Sequence, residues 1–205
     1  MTPDLRHYLR EATAEQHHQL DSQPALRRLM RPGLTLADYS HTLACLGAAF
    51  RHVEAILAKS PLPENTAVPA YLPRYPAITR DLTILQLPLT PEPDLPALPS
   101  AATSFTTLGI RYVVDGSSQG SVHILRKLSN NLPELTATGA QHYWHAQERA
   151  GQDWPGLCRA LMQDCTELQR QQALNGACWA FKCFTTAFEN LATATDTALP
   201  AHPPG

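Results

Sequence analysis

Tyr39, Leu43, Leu46, Phe50, Val53 and Leu57 follow one another at alternating steps of four and three. That spacing gathers side chains along one side of an α-helix and scatters them over both faces of a strand. A helix with so continuous an apolar stripe is not stable alone, so the rest of the chain has to supply matching apolar surface. Thr35 and Asp38 stand in the pattern of a capping box and set the start of this helix, and the stripe ends near Lys59. Leu5, Tyr8, Leu9, Ala12 and Leu20 recur at helical spacing and predict a first helix over residues 3–20, stopped by Pro24 and the Arg31-Pro32-Gly33 turn. Residues 101–130 predict another long helix, broken over 115–121, and residues 137–171 and 172–195 predict two more. Strand alternation is convincing nowhere, so the expected fold is an all-α helical bundle.

More than half of the 18 prolines fall between residues 60 and 100, where only 77–85 reads as helical. Tyr71, Leu72, Tyr75, Ile78, Leu82, Ile84 and Leu85 make this stretch more apolar than a solvated linker requires, so it is expected to wrap the bundle. A chain of 205 residues, 43% hydrophobic, suffices for one sizeable core and is short for two. Residues 1–195 are therefore expected to form one domain, and the proline-containing residues 196–205 a disordered tail.

A formal charge of −2 gives no overall basic footprint for nucleic acid or anionic lipid. No apolar run reaches the length of a membrane span, and the opening residues do not lead into the apolar stretch of a secretory signal, so the expected location is the cytoplasm. Five cysteines, at 45, 158, 165, 178 and 183, are odd in number and lack a C-x-x-C pair, which points to reduced packing residues rather than a disulfide framework or zinc cluster.

His17 and Asp21 are four residues apart and share a helix face. A carboxylate so placed can accept the Nδ1 proton while Nε2 binds a metal, and the same spacing equally describes an exposed surface ion pair. Gly116 and Gly120 also share a face, which admits either another helix or a flat ligand close to the backbone and lets the helix bend. His142, His145 and Glu148 read as an ordinary polar face, because no companion Glu-x-x-His supplies the rest of a diiron site.

Two segments resolve the ambiguity by resemblance. Leu9-Arg10-Glu11-Ala12-Thr13-Ala14-Glu15-Gln16-His17 resembles the opening helix of heme oxygenases, and Asp21 falls where that family places a carboxylate partner for its histidine. Gly109-Ile110-Arg111-Tyr112-Val113-Val114-Asp115-Gly116-Ser117-Ser118-Gln119-Gly120-Ser121 is similar to the distal helix of the bacterial, biliverdin-producing branch. Phe181, Phe184, Phe188, Glu189 and Leu191 resemble the last core helix, and Gly151, Trp154 and Arg159 the penultimate one.

The resemblance implies an enzyme that cleaves haem, its substrate and cofactor, to biliverdin, iron and carbon monoxide with O2 and electrons from ferredoxin or an NAD(P)H reductase. A bilin-accepting phytochrome is a further implied partner. His17 is implied as proximal iron ligand with Asp21 behind it, and Gly116, Gly120 and Ser121 as the distal side. Arg10 and Arg159 are implied to pair with the propionates, and Phe181 and Phe188 to pack at the ring edge. The chain departs from the family at Ser121, where a second glycine is usual, and at Ser117, where some members carry an acid. Two rival readings stay open: haem storage or sensing on the same fold, with catalysis lost through Ser121 or through His123, which lies on roughly the face of Gly116 and Gly120 and could close the sixth position; and a haem-free member of the superfamily acting on another small molecule or through diiron chemistry.

Overall fold

The first helix is divided where the sequence predicts it to be continuous. In the computed structural model, which describes residues 4–64, 67–87, 94–98 and 102–197, α1 (Leu5–Ala12) and α2 (Ala14–Asp21) meet at Thr13, with φ −111° and ψ 12°. The Thr13 hydroxyl donates back to the Leu9 carbonyl at 2.7 Å, an arrangement that bends helices. The N–H of His17 still reaches the Thr13 carbonyl, so the chain kinks there without stopping.

After α3 (Pro24–Arg28), α4 (Leu36–Leu57) begins where the sequence predicts. Thr35 Oγ1 accepts from the Asp38 N–H at 3.1 Å, and Asp38 Oδ2 accepts from the Thr35 N–H at 3.0 Å. Its stripe from Tyr39 to Val53 is buried. The remaining elements are α5 (Tyr75–Ile84), α6 (Ser104–Gly116), a 3-10 helix (Ser117–Gly120), α7 (Ser121–Asn131), α8 (Pro133–Thr138), α9 (His142–Leu161) and α10 (Glu167–Thr197). Among the described residues all regular structure is helical. Residues 198–205 of the expected tail lie outside the described residues.

The span 137–171, expected as one helix, takes in the end of α8, all of α9 and the first turn of α10. Gly139, at φ +72°, turns the chain after α8. The buried Asp81 of α5 then accepts from the N–H groups of His142 and Tyr143, at 2.9 and 2.8 Å, and so caps α9 from another helix. The boundary expected at 171/172 lies earlier, between Leu161 and Glu167. There Thr166 and Gln169 exchange bonds, Thr166 N–H to Gln169 Oε1 at 2.8 Å and Gln169 N–H to Thr166 Oγ1 at 3.2 Å, which is a second capping box.

α10 is the spine, packing on α6 most extensively and also on α4, α2 and α1. The α6–α10 crossing brings two backbones into contact. A Cβ at Gly109 would lie 1.8 Å from the carbonyl oxygen of Ala173, and one at Gly176 would lie 2.1 Å from that of Thr106. The described proline-rich pieces wrap the helices as expected. The Pro69 ring fills the space left by Gly156, Arg111 Nη2 donates to the Pro69 carbonyl at 2.9 Å, and Trp179 Nε1 donates to that of Pro96 at 2.8 Å. All five cysteines are free thiols; Cys45 and Cys183 are buried and the other three half-buried.

Candidate functional site

α2, the bend from α6 through the 3-10 helix into α7, and the facing sides of α4, α9 and α10 enclose a cavity of about 410 Å³, within the range of small-molecule sites. Phe181, Phe184 and Phe188 of α10 line it together with Leu46 and Phe50 of α4. Phe50 packs edge-on to Phe184 with ring centroids 4.9 Å apart, and meets Tyr143 of α9 at 5.9 Å. This wall offers apolar and aromatic surface to a flat ligand.

His17 stands at the mouth of the cavity, its side chain 64% exposed and its ring edge-on to Phe181 at 5.9 Å. Nδ1 lies 3.0 Å from Asp21 Oδ2. A carboxylate on Nδ1 fixes the tautomer that leaves a lone pair on Nε2. Both partners are exposed, so the pair contributes little to stability. His18, its neighbour, is exposed and off the cavity wall.

Gly116 and Gly120 both line the cavity from the opposite side. A Cβ at Gly116 would meet the Trp154 ring at 3.4 Å, and one at Gly120 would find nothing closer than Ile124 Cδ1 at 3.8 Å. The protein's own packing therefore does not require glycine at 120, and bare backbone faces the cavity. The tighter 3-10 winding of Ser117–Gly120 accounts for the break in the helical pattern.

The other expected residues divide. Phe181 and Phe188 line the cavity. Ser121 does not: it is buried on the far side of the bend, in a shallow groove against α9 with His145, Glu148 and Gly151. His123 is exposed and outside the cavity lining. Arg10 and Arg159 are exposed and stand back from the cavity. Tyr112, a lining residue, has its pKa raised by burial against the opposing charges of Arg6 and Arg10. Cys158 is likewise raised by burial against Arg6 and Arg159. Arg6 and Arg10 thus lie near the lining residue Tyr112, while Arg159 lies near Cys158, outside the lining; Arg6 is the one the sequence did not single out. His142 pairs with Asp81 at 2.7 Å and His145 with Glu148 at 3.0 Å. No described cluster of His, Cys, Asp and Glu is arranged to hold a metal ion.

A buried polar network behind the cavity was not expected. Arg74, fully buried, donates Nη2 to Asp115 Oδ1 at 2.7 Å, and Arg111 donates Nε to Asp115 Oδ2. Both guanidiniums lie over the Tyr71 ring, at 4.8 and 5.1 Å. The Tyr71 hydroxyl donates to Glu54, whose carboxyl is pushed above its ordinary pKa by desolvation. Arg74 Nε also donates to Gln147 Oε1 at 3.2 Å, and Gln147 and Tyr143 are themselves cavity residues. The i, i+4 spacing of Arg111 and Asp115 was the one local signal of this network.

The cavity is thus an apolar, aromatic-lined space between a carboxylate-paired histidine and a bent, glycine-bearing helix. The family model described as heme oxygenase matches residues 3–190, and the chain belongs to the heme oxygenase family. A haem-related function with haem as the ligand follows from that membership. No curated protein matches the chain. The residues present suit haem: an imidazole whose Nδ1 is held by Asp21, an apolar aromatic wall and glycine backbone on the bent helix. No described helix is long and apolar enough to cross a membrane.

Proposed function

We propose that this protein is a heme oxygenase that opens haem to biliverdin, iron and carbon monoxide, using O2 and electrons from an external redox protein such as ferredoxin or an NAD(P)H reductase. When bound, haem supplies the iron at which O2 is reduced. The chain binds, orients and shields. His17 Nε2 would hold the iron, and Asp21, by holding Nδ1, sets the ring's tautomer. Gly116 and Gly120 form the opposite wall, where the absence of side chains leaves room for a small gas molecule. Arg10 and Arg159, with Arg6, hold the propionates at the rim; a guanidinium fork suits a carboxylate. Phe181 and Phe188 pack on the macrocycle and exclude water. Ser121 supports the bend from behind.

The observation that carries this reading is His17, with its Nδ1 occupied by Asp21, on an apolar cavity opposite uncovered glycine backbone. Closure of the sixth position by His123, one route to a storage or sensing role, is not supported, because His123 is exposed and off the cavity wall. The test is a hemin titration followed by reduction in air with ferredoxin and its reductase. Wild type is expected to give a Soret change and then a biliverdin band, and His17→Ala to lose the Soret change. A stable haem spectrum without biliverdin would sink the enzyme reading; a His17→Ala titration identical to wild type would sink the ligation.

A further inference from the structure

Resting on the haem reading above, we propose that Tyr143 is the hydrogen-bond donor of the cavity and that Gln147 is the positioning residue that leaves its proton free to be given. Gln147 is buried, and its amide is engaged at both ends. Oε1 accepts from Arg74 Nε at 3.2 Å, while Nε2 donates to the Tyr143 hydroxyl at 2.9 Å and to Ser117 Oγ at 3.1 Å. A guanidinium can only donate. A flipped amide would set its N–H groups against those of Arg74, which is itself fixed by Asp115 and by the Leu72 carbonyl. The carbonyl of Gln147 is therefore held toward Arg74 and its two hydrogens toward the hydroxyls.

Those two hydroxyls are left in different states. Ser117 spends its hydrogen on the Val114 carbonyl at 2.7 Å. The Tyr143 oxygen accepts from Gln147, and among the described residues no acceptor takes the phenol's own hydrogen. Tyr143 is buried and lines the same cavity as His17, Gly116 and Gly120. Burial raises its pKa well above the ordinary phenol value, so it keeps that hydrogen at neutral pH. A buried donor without an acceptor is costly, and a ligand or water in the cavity completes the bond. At the wall where Ser117 stands in place of an acid, the polar contact thus comes from α9, oriented by a chain of bonds from Asp115 through Arg74 and Gln147.

The experiment measures azide affinity, by absorption titration, of the ferric hemin-loaded protein; azide offers acceptor atoms only. Tyr143→Phe removes one hydroxyl and is expected to weaken azide roughly fivefold, the fold-change of about 1 kcal/mol for a neutral hydrogen bond. Gln147→Glu keeps an acceptor for Arg74 but turns the donor facing Tyr143 into an acceptor, which draws the phenol hydrogen away from the cavity. It is expected to lose about as much as Tyr143→Phe, whereas a merely structural role for Gln147 predicts wild-type affinity. Hemin affinity is measured first for each protein. If Gln147→Glu does not load, Gln147→Met takes its place, with an expected loss of more than twofold but no larger than that of Tyr143→Phe. Azide affinity within twofold of wild type in loaded Tyr143→Phe overturns the donor, and the same result in the loaded position-147 variant overturns the positioning. A wild type that shows no Soret change overturns the haem reading itself and the donor with it.

Discussion

Replacing Gly109 by alanine places a methyl group where the backbone of α10 already lies. The new carbon would stand 1.8 Å from the Ala173 carbonyl oxygen, 2.7 Å from its carbonyl carbon and 2.9 Å from the Ala177 nitrogen, where ordinary contact begins at 3.4 Å. These are main-chain atoms, so no rotamer change relieves the clash and the two helices have to separate. Alanine recovers about 1 kcal/mol of helix propensity. Overpacking a core costs about 1–3 kcal/mol, and more where backbone must move, so a net loss of about 2 kcal/mol is expected. For a chain of this length that is a fall of roughly 4–8 °C in melting temperature. The assay is thermal unfolding of the ligand-free protein followed by circular dichroism, with Gly120→Ala beside it. The nearest atom to a methyl at 120 is 3.8 Å away, so that variant should melt within about 1 kcal/mol of wild type and yet bind hemin more weakly. A Gly109→Ala protein melting at or above wild type would refute the backbone contact at this crossing.

Asp115→Asn leaves two buried guanidiniums on one neutral side chain. Breaking a buried ion cluster costs about 3–5 kcal/mol, seen as a lower urea midpoint, and a loss below 1 kcal/mol would show that Arg74 and Arg111 do not depend on the carboxylate. Cys45 and Cys183, whose thiols burial pushes up to about 12, should resist iodoacetamide at pH 8 until the protein is denatured, because the thiolate is the reactive form; labelling of either in the folded state, read by peptide mass, would contradict their burial.

The sequence revealed what local patterns encode. The stripe of α4 and its capping box lie where Thr35, Asp38 and the four-three spacing placed them, because both signals sit within one or two turns. The boundary before α10 carried the same kind of signal in Thr166 and Gln169, but the apolar pattern runs on across it and masks the cap. The α9 start was less legible still, since its cap is Asp81, 61 residues earlier on another helix. At the site, His17, Asp21 and the glycine pair were legible as candidates because their spacing is local. Tyr143 and Gln147, an i, i+4 pair on α9, and Arg74 were not, because what ties them to the site is the link from Gln147 to Arg74 and Ser117 and from Arg74 to Asp115, on other elements. Ser121 was expected at the distal side through the resemblance, and His123 came into question by continuing helical geometry through residues 117–120, where 3-10 winding advances each residue by a larger angle.

The proline-rich stretch is held in a way that follows from its composition. Proline has no N–H, so a ribbon rich in it offers its surroundings mostly carbonyl oxygens. The bonds from the helices to this ribbon described above obey that polarity: Arg111 gives to Pro69 and Trp179 to Pro96. The helices supply the donors and the ribbon supplies main-chain acceptors that do not depend on side-chain identity. Such a segment can change its side chains widely and keep these anchors, whereas the two helix-borne donors cannot be exchanged without freeing it there.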